Sequence, residues 1–322
     1  MSTIRQLPPW IRIRFQTGGQ SAAVSNALDH AALNTVCENA RCPNRQECFH
    51  RGTATFMILG NLCTRQCRFC AVRTGTPLPP DPDEPQRIAE LVDRLSMRHV
   101  VVTSVTRDDL PDGGAGAFAA VITRLKARPG VTVEVLVPDF QGNPQSMAVI
   151  LAARPHVFNH NLETVARLQP AIRPQADYRR SLLVLHTAAR NRPRPVVKSG
   201  LMVGLGETDE ELFQALADLR AADCDVLTLG QYLAPSRRHL PVKRFVTPDG
   251  FEAYRKKALA LGFTAVAAGP LVRSSYHAEE LFRGSEKNAE CRRKNEETKN
   301  RKPKRLNGMA YHRPLGAQFG SS

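Results

Sequence analysis

The sequence has no long uninterrupted apolar run and no start typical of an exported protein. Its most apolar long stretch, Ala258 to Val272, is broken by Gly262, Gly269 and Pro270, whereas a bilayer span needs about 20 consecutive apolar residues. A charged start followed by an apolar signal segment is also missing. These absences argue against a membrane protein and predict a cytoplasmic one.

Acidic residues are fewer than basic ones. The 322 residues contain 30 Asp or Glu and 45 Lys or Arg, a formal net charge of +15, which predicts an acidic partner. The segment 284–322 has ten Lys or Arg, four Glu and few large apolar residues, so it carries +6 of that charge. We expect it to be a basic, disordered tail, which leaves +9 on the body.

Complete phosphate-binding motifs are missing as well. Gly113-Gly114-Ala115-Gly116 and the glycines of Gly204-Leu205-Gly206 match neither the dinucleotide fingerprint nor the P-loop, which also needs a lysine and a hydroxyl residue. Both segments are therefore interpreted as turns whose glycines adopt positive φ.

Cysteine is the residue that the chain does concentrate. Six of its eight cysteines fall within 34 residues, while Cys224 and Cys291 stand alone. In a reducing compartment, clustered cysteines favour metal or redox sites over disulfides. Structural zinc sites repeat Cys-x2-Cys pairs, and here only Cys67 and Cys70 form one. Two trios favour two iron–sulfur clusters, each held by three thiolates, which would leave one iron available per cluster. Zinc or chance spacing stays the alternative. The first trio is Cys37, Cys42 and Cys48, and the second is Cys63, Cys67 and Cys70.

The second trio has a specific spacing. Cys63-Thr-Arg-Gln-Cys67-Arg-Phe-Cys70 resembles the cluster-binding motif of radical S-adenosylmethionine enzymes, including the aromatic Phe69 before the last cysteine. The resemblance implies that the open iron binds the amino and carboxylate groups of S-adenosylmethionine. One electron then cleaves the sulfonium to give a 5′-deoxyadenosyl radical. Phe69 is either a contact near the adenine, an ordinary core aromatic, or both.

From Thr53 the chain alternates short apolar runs with amphipathic stretches, which is typical of repeated βα units around a parallel sheet. We predict strands near 54–59, 100–104, 132–137, 157–159, 197–203 and 226–229. The helices between them are marked by apolar stripes, such as Ile88, Leu91, Val92 and Leu95, and by the capping box Thr208-x-x-Glu211. Six such units indicate an α/β fold, a partial (β/α)6 barrel with N-terminal and C-terminal extensions around an auxiliary cluster. The predicted parts are an N-terminal extension 1–52 with the first trio, a barrel 53–270, a segment 271–283 and the tail 284–322.

In such barrels the loops at the carboxyl ends of the strands carry the chemistry, and the second trio follows the first strand as this rule requires. The segment Gly200-x-Met202-x-Gly204-x-x-Glu207 resembles a pattern that lies beside the adenine in radical S-adenosylmethionine barrels, and its alternative is a plain strand-to-helix turn. Candidate contacts to the cofactor are Gly204, Glu207 and five polar residues at or just beyond predicted strand ends, namely Thr103, Ser104, Asn161, Glu163 and Lys198.

The two trios together with Arg273-Ser274-Ser275-Tyr276 resemble the lipoyl synthase family. The resemblance covers about residues 8–283 and includes Gly52-Thr-Ala-Thr-Phe-Met and Thr103-Ser-Val-Thr-Arg-Asp-Asp-Leu. It implies a sulfurtransferase that replaces hydrogen by sulfur at carbons 6 and 8 of an octanoyl group held on a lysine of a lipoyl carrier domain. Two molecules of S-adenosylmethionine are expected per product.

The same resemblance assigns the two 4Fe–4S clusters. The cluster at the second trio generates both radicals, and the cluster at the first trio donates the sulfur atoms, with Ser275 as its fourth ligand. Without the family resemblance, a hydrogen-bonded loop serine is the favoured interpretation of Ser275, and only the resemblance reverses this. We expect this oxygen ligand to leave the iron readily when substrate arrives, because an alkoxide matches iron–sulfur chemistry less well than a thiolate.

The partners implied are octanoylated carrier domains of 2-oxoacid dehydrogenase E2 subunits and of the glycine-cleavage H protein, an electron donor and an iron–sulfur carrier that rebuilds the sacrificed cluster. Neither nucleic acid nor membrane is expected as a partner. Two other functions stay open at this point, namely a methylthiotransferase-like radical enzyme that acts on RNA and a non-enzymatic, metal-stabilised nucleic-acid-binding protein.

Overall fold

The computed structural model describes residues 7–13 and 19–300, and side chains up to residue 290. In this part of the chain there are nine strands: β1 Thr55–Ile58, β2 Leu62–Cys63, β3 Arg73–Thr74, β4 His99–Ser104, β5 Thr132–Leu136, β6 Val157–Asn159, β7 Val196–Val203, β8 Val226–Gln231 and β9 Ala265–Gly269. The α-helices are α1 Gly19–His30, α2 Val36–Asn39, α3 Arg45–His50, α4 Glu84–Arg94, α5 Ala115–Lys126, α6 Pro144–Ala152, α7 Gln169–Ile172, α8 Tyr178–Arg190, α9 Asp209–Ala221, α10 Pro248–Ala260 and α11 Ala278–Asn300, and Phe140–Gly142 forms a 3-10 turn.

The main sheet has seven parallel strands in the order β1-β4-β5-β6-β7-β8-β9. Except for β2 and β3, which form a small parallel pair of their own, spatial order follows chain order. Helices between successive strands of the main sheet allow every pair to be parallel. Within the described residues the edge strands β1 and β9 do not pair, so the sheet is open rather than a closed barrel. The predicted α/β architecture is confirmed, and the structure adds β9 to the main sheet and the small pair β2 and β3 to the six predicted strands.

The sheet's core explains why these segments are strands. Val100, Val102, Val133 and Val135 are fully buried, as expected for β-branched residues in a parallel sheet that is covered on its faces. The outer helices present the predicted apolar stripes, and in α4 the residues Ile88, Leu91 and Val92 are buried.

The predicted capping box at the start of α9 is also present. The Thr208 hydroxyl accepts a hydrogen bond from the Glu211 N–H, and the Glu211 carboxylate accepts one from the Thr208 N–H. This local signal therefore fixes where the helix begins.

Strand β9 was not predicted. Its sequence Ala-Val-Ala-Ala-Gly has little of the β-branched and aromatic content that marks a strand. Its position is set by pairing instead, because Leu227 of β8 lies in register with Val266 and Gly230 with Gly269. Tertiary context thus decides an element that the local sequence does not announce.

After β9 the chain returns against the strands of the main sheet. A Cβ on Gly230 would collide with the Val272 carbonyl, and one on Gly200 would lie 3.2 Å from the Ser274 Oγ and 2.8 Å from the Asn161 Oδ1. Glycine at these two strand positions therefore admits the Arg273-to-Tyr276 segment into close contact with β7 and β8.

The prediction of a disordered tail from residue 284 was wrong for 284–300, which continue helix α11. Hydrogen bonds anchor the helix, because the Ser285 and Thr264 hydroxyls lie 3.1 Å apart and the Asn288 amide donates to the Thr264 carbonyl at 2.8 Å. Charged residues such as Glu, Lys and Arg are good helix formers, so a charged composition did not by itself indicate disorder here. Residues 301–322 lie outside the described part.

No helix in residues 7–13 and 19–300 combines the length and the apolar character that crossing a membrane requires.

Candidate active site

One cavity of about 1680 Å³ gathers the residues that the sequence predicts as cluster ligands. It is bordered by β1, by the carboxyl-end loops of the main sheet and by the segment after β9. The described thiols are all free, so none of the six is held in a disulfide. The lining of the cavity includes all six cysteines of the two trios and the predicted serine ligand, namely Cys37, Cys42, Cys48, Cys63, Cys67, Cys70 and Ser275.

The second trio lies on the loop that follows β1. Cys63 ends the short strand β2, and its sulfur accepts hydrogen bonds from the N–H groups of Thr106 at 3.3 Å and Arg65 at 3.4 Å. The Cys70 N–H donates to the Cys67 carbonyl at 3.0 Å, which closes a turn between these two cysteines. These bonds fold the loop on itself and fasten it to the loop after β4.

A buried arginine that the sequence analysis missed anchors this loop. The Arg65 guanidinium, in a residue only 5 % exposed, donates to Asp108 at 2.6 and 2.9 Å and to Asp139 at 2.7 Å. Burial opposes the charge, but the two carboxylates outweigh it and raise the pKa of Arg65. Because the carboxylates come from the loops after β4 and β5, the ion pairs tie the cysteine loop to the main sheet.

Two thiols of the second trio, those of Cys67 and Cys70, lie in an environment that disfavours thiolates. Burial raises the pKa of Cys70 to about 12, and burial also raises that of Cys67 even though Arg173 nearby lowers it. A cation bound by these sulfurs would supply the positive charge that lets thiolates form. The donor set therefore fits a cationic iron–sulfur group.

The first trio lies on two short helices pinned to the edge of the sheet. Cys37 is in α2 and Cys48 in α3, with Cys42 on the loop between them. The Asn44 amide donates to the Leu271 carbonyl at 2.6 Å. The Met57 N–H donates to the Asn34 carbonyl at 2.8 Å. These bonds fasten the N-terminal extension to β1 and to the segment after β9.

Burial also governs the thiols of the first trio. It raises the pKa of Cys37 to about 12 and that of Cys48 to about 11, and it raises the pKa of Cys42 despite the nearby Arg273. The two trios thus share one chemistry, that of sheltered thiols with the capacity to bind a cation.

In residues 7–13 and 19–290, no three His, Cys, Asp or Glu side chains converge on a position for a single metal ion. The arrangement is compatible with cubane clusters, because each thiolate of a cubane binds a separate iron.

The segment after β9 links the first trio to the main sheet. The Ser275 Oγ accepts a hydrogen bond from the Thr55 hydroxyl at 2.7 Å, and the Ser274 Oγ accepts one from the Asn161 amide at 2.5 Å. The Tyr276 hydroxyl donates to the Glu47 carboxylate at 2.9 Å. Ser275 is therefore directed toward β1, beside the first trio, while Ser274 is directed toward Asn161, which lies just beyond the end of β6.

Several polar atoms in the cavity wall have no partner among the described residues. They are the Ser104 Oγ, the His160 Nε2 and the Asn161 Oδ1, all buried. A buried polar atom without a hydrogen bond costs about 1–3 kcal/mol. Such atoms around one cavity fit a polar ligand that bonds to them, as the amino-acid and ribose parts of S-adenosylmethionine could.

Of the five candidate strand-end residues, Thr103, Ser104, Asn161 and Glu163 line the cavity. Glu163 has a left-handed backbone with φ 70°, uncommon for a residue other than glycine, and its carboxylate accepts from the Asn161 amide at 3.0 Å. Burial raises its pKa, against the opposing effect of Arg173. This half-buried carboxylate on a strained backbone is a functional candidate.

Gly204 and Glu207 form a turn directly after β7 and are not among the residues that line the cavity. The Glu207 carboxylate accepts hydrogen bonds from the N–H groups of Gly204, Leu205 and Gly206 at 2.6, 2.9 and 3.1 Å. Gly204 has φ +94°, and a Cβ there would collide with the Arg244 carbonyl. The turn fixes where β7 ends.

Phe69 lines the cavity and packs, together with Met202, against a small apolar cluster that includes Tyr232. An apolar wall of this kind suits a flat aromatic ring such as adenine. The core and cofactor interpretations of Phe69 are both compatible with this position.

Lys198 does not lie at the carboxyl end of a strand, which corrects the sequence-based expectation. Strand β7 runs from Val196 to Val203, so Lys198 is near its beginning. Its ammonium donates to the buried Glu134 carboxylate at 2.7 Å, and the His99 Nε2 lies 3.4 Å from the same carboxylate. The ion pair gives Lys198 a structural role, and we propose no cofactor contact for it.

We expect the Glu134→Gln variant to lose about 3–5 kcal/mol of unfolding free energy, because it leaves the Lys198 ammonium buried without a counter-charge. Denaturant unfolding measures the loss. The double variant Glu134→Gln, Lys198→Met should recover most of it, since neither buried charge then remains.

The ion pair also predicts a pH dependence. Burial raises the pKa of Glu134, but Lys198 and His99 outweigh it and bring the pKa down to about 2, from 4.5 in an unfolded chain. A lowered pKa stabilises the fold fully above about pH 4.5, and this contribution is lost as pH falls toward 2. The unmodified protein should therefore lose more stability across this window than the double variant does, and equal losses would contradict the assignment.

The sequence matches the Radical SAM superfamily over residues 57–219. It is 55% identical over 277 residues to a lipoyl synthase of Caldanaerobacter subterraneus subsp. tengcongensis. The aligned residues are 86% of this chain and 97% of that protein. A lipoyl synthase of Chlorobium limicola is 54% identical over 276 residues, which are 85% of this chain and 94% of that protein. Among solved structures, Streptococcus suis SuiB bound to S-adenosylmethionine is similar with a TM-score of 0.50 and 9% identity, over 68% of this chain and 51% of that one. At this identity the likeness is one of fold.

Proposed function

This chain belongs to the lipoyl synthase family, and on that premise we propose that it inserts two sulfur atoms, at carbons 6 and 8, into an octanoyl group carried on a protein lysine. The observation that carries the proposal is the convergence of two cysteine trios and Ser275 on one cavity. An octanoyl group bound between the trios would have a radical source on one side and a sulfur source on the other.

The chemistry requires a radical. Carbons 6 and 8 of an octanoyl chain have no adjacent carbonyl to acidify their hydrogens, so acid–base catalysis by side chains cannot remove them. When bound, a 4Fe–4S cluster with S-adenosylmethionine supplies a carbon radical that takes a hydrogen atom from such a position. The task left to the chain is to bind, orient and shield these groups.

The second trio is assigned to the radical cluster. Cys63, Cys67 and Cys70 would provide its three thiolates on a loop held by the Arg65 ion pairs. The unpartnered Ser104 and Asn161 side chains would bond to the polar part of S-adenosylmethionine, with Thr103 and Glu163 close by. Phe69 would form the wall on the adenine side, and Gly204 and Glu207 would hold the turn next to it.

The first trio is assigned to a second 4Fe–4S cluster that serves as the source of sulfur. Cys37, Cys42 and Cys48 would provide three thiolates, and Ser275 the fourth ligand from the segment after β9. Support for the assignment comes from the fastening of this trio to the cavity through Asn44 and Thr55.

The test is mass analysis of an octanoylated carrier peptide after reaction with the reconstituted protein, S-adenosylmethionine and a strong reductant. We expect the peptide to gain two sulfur atoms. Formation of 5′-deoxyadenosine with an unchanged peptide would contradict the proposed function, and transfer of a methylthio group would favour the methylthiotransferase alternative.

The carrier is proposed to dock through basic side chains at the cavity. Arg41, Arg237 and Lys243 border it, are exposed, and form no ion pair with a carboxylate in the described part of the chain. Unpaired cations at an opening attract an acidic surface and orient it. Carrier domains of 2-oxoacid dehydrogenase E2 subunits and the glycine-cleavage H protein are proposed as these partners. An electron donor and an iron–sulfur carrier are proposed to serve the clusters.

We expect the variant Arg41→Glu, Arg237→Glu, Lys243→Glu to raise the KM for an intact carrier domain about tenfold or more at low salt, because charge reversal repels an acidic partner. The effect should shrink as salt screens it. Kinetics against the carrier domain and against a short neutral octanoyl peptide measure the difference. A matched control reverses Arg94, Arg179 and Arg190, which are exposed on α4 and α8 away from the cavity. Equal KM values for the two triple variants would contradict docking at the opening.

A further inference from the structure

Thr55 lies between two residues that the proposed function makes ligands of one cluster. It is the first residue of β1 and is paired with Val101 of β4. Side chains alternate along a strand, and here Thr55 and Met57 face the cavity while Phe56 and Ile58 pack into the core. The Thr55 side chain is therefore held at the cavity wall by the main sheet, in a residue only 4 % exposed.

The contacts of Thr55 reach both chain segments that form this part of the site. Its hydroxyl donates to the Ser275 Oγ at 2.7 Å. Its backbone N–H and its hydroxyl both lie close enough to the Cys37 thiol to lower the pKa of that thiol against the effect of burial. One strand residue thus contacts a predicted ligand from the N-terminal extension and another from the segment after β9.

Within the described residues, the bond from Thr55 is the one hydrogen bond to the Ser275 side chain. A serine side chain rotates easily among three staggered rotamers, so a single bond decides which one it occupies. Other cavity threonines differ from Thr55, since Thr103 donates to the Leu136 carbonyl and Thr228 to the Ser199 carbonyl. Thr55 is distinguished by the ligand oxygen that it contacts.

We propose that Thr55 is a positioning residue that holds the Ser275 oxygen beside the first trio and so keeps the fourth iron of that cluster ligated. The inference rests on the proposed function of Ser275 as a ligand. Residues that orient a metal ligand typically change metal affinity by about 10- to 100-fold when they are replaced. Loss of the Thr55 hydroxyl should therefore act like a partial loss of Ser275.

The experiment isolates this cluster in the full-length chain. Cys63, Cys67 and Cys70 are replaced with alanine, so that all reconstituted iron belongs to the first trio. A 4Fe–4S cluster with one iron lacking a protein ligand loses that iron on mild oxidation and becomes a 3Fe–4S cluster with a distinct electron paramagnetic resonance signal. The rate at which the signal appears with a ferricyanide oxidant reports how well the fourth iron is held.

In this background we expect Thr55→Val to form the 3Fe–4S signal about tenfold faster than the parent, approaching the rate of Ser275→Ala. Thr55→Ser, which keeps the hydroxyl, should restore the parental rate. Adding Thr55→Val to Ser275→Ala should cause no further increase, because both changes act on the same ligand. The control Thr228→Val removes another buried cavity hydroxyl and should leave the rate unchanged.

A parental rate in Thr55→Val together with a fast rate in Ser275→Ala would overturn the inference and leave the function of Ser275 intact. A parental rate in Ser275→Ala itself would instead contradict the ligand assignment on which the inference rests. If Thr55→Val fails to fold, as thermal unfolding would show, Thr55→Ala replaces it with the same expected acceleration. An acceleration in Thr55→Ala that Thr55→Ser does not share supports the inference, and a parental rate in Thr55→Ala overturns it.

Discussion

Replacement of Cys67 with alanine is expected to abolish both the cleavage of S-adenosylmethionine and the insertion of sulfur. Cys67 lies in the middle of the second trio, on the loop that its neighbour Arg65 anchors. Without this thiolate only Cys63 and Cys70 remain as protein ligands, too few to hold a cubane with one open iron. The same loss is expected when either of those cysteines is replaced.

The measurements for Cys67→Ala are iron content and the formation of 5′-deoxyadenosine. Iron should fall from about eight to about four per chain, and the nucleoside should fall below detection. The control is Cys224→Ala, since Cys224 is a buried thiol whose Sγ lies 3.6 Å from the Val197 carbonyl and which does not border the cavity. Retained nucleoside formation in Cys67→Ala would contradict the assignment of the radical cluster to this trio.

The sequence predicts those features that depend on local spacing. Cysteine spacing indicated the two trios, the family resemblance indicated Ser275, and the structure places all of them around one cavity. Apolar runs predicted six of the seven strands of the main sheet, and the capping box at Thr208 predicted the start of α9. In each case the physical cause lies within a few residues of its effect.

What the sequence does not predict depends on distant contacts. Arg65 and Asp139 are 74 residues apart, and Thr55 and Ser275 are 220 apart. Nothing in the neighbourhood of Thr55 signals its bond to Ser275. The one available clue was that Thr55 sits inside a segment that resembles the family, which indicates that it matters without indicating how.

Lys198 illustrates the opposite error. A lysine in an apolar run was interpreted as a cofactor contact because strand ends carry chemistry in this fold. Its position along the strand excludes a place at the carboxyl end, because five residues of β7 follow it. A charged residue this far from the strand's carboxyl end needs a buried partner, and Glu134 on β5 provides it.

Replacement of Cys42 with alanine is expected to leave the cleavage of S-adenosylmethionine intact and to abolish the sulfur-containing product. Cys42 belongs to the N-terminal extension and lies on the loop between α2 and α3, whereas the second trio has its own loop and its own anchors. Loss of Cys42 therefore leaves the Arg65 ion pairs and the Cys63 hydrogen bonds in place. The two functions should separate cleanly in this one variant.

The readouts are 5′-deoxyadenosine and the mass of an octanoylated carrier peptide, followed in the same reaction. In Cys42→Ala we expect the nucleoside to form and the peptide to gain no sulfur, with about four irons per chain instead of about eight. Cys67→Ala has the same iron content but forms no nucleoside, so the pair of variants distinguishes the tasks of the trios at equal metal loading. If Cys42→Ala still inserts both sulfur atoms, the sulfur does not come from a cluster at the first trio, and the role proposed for Ser275 falls with that source.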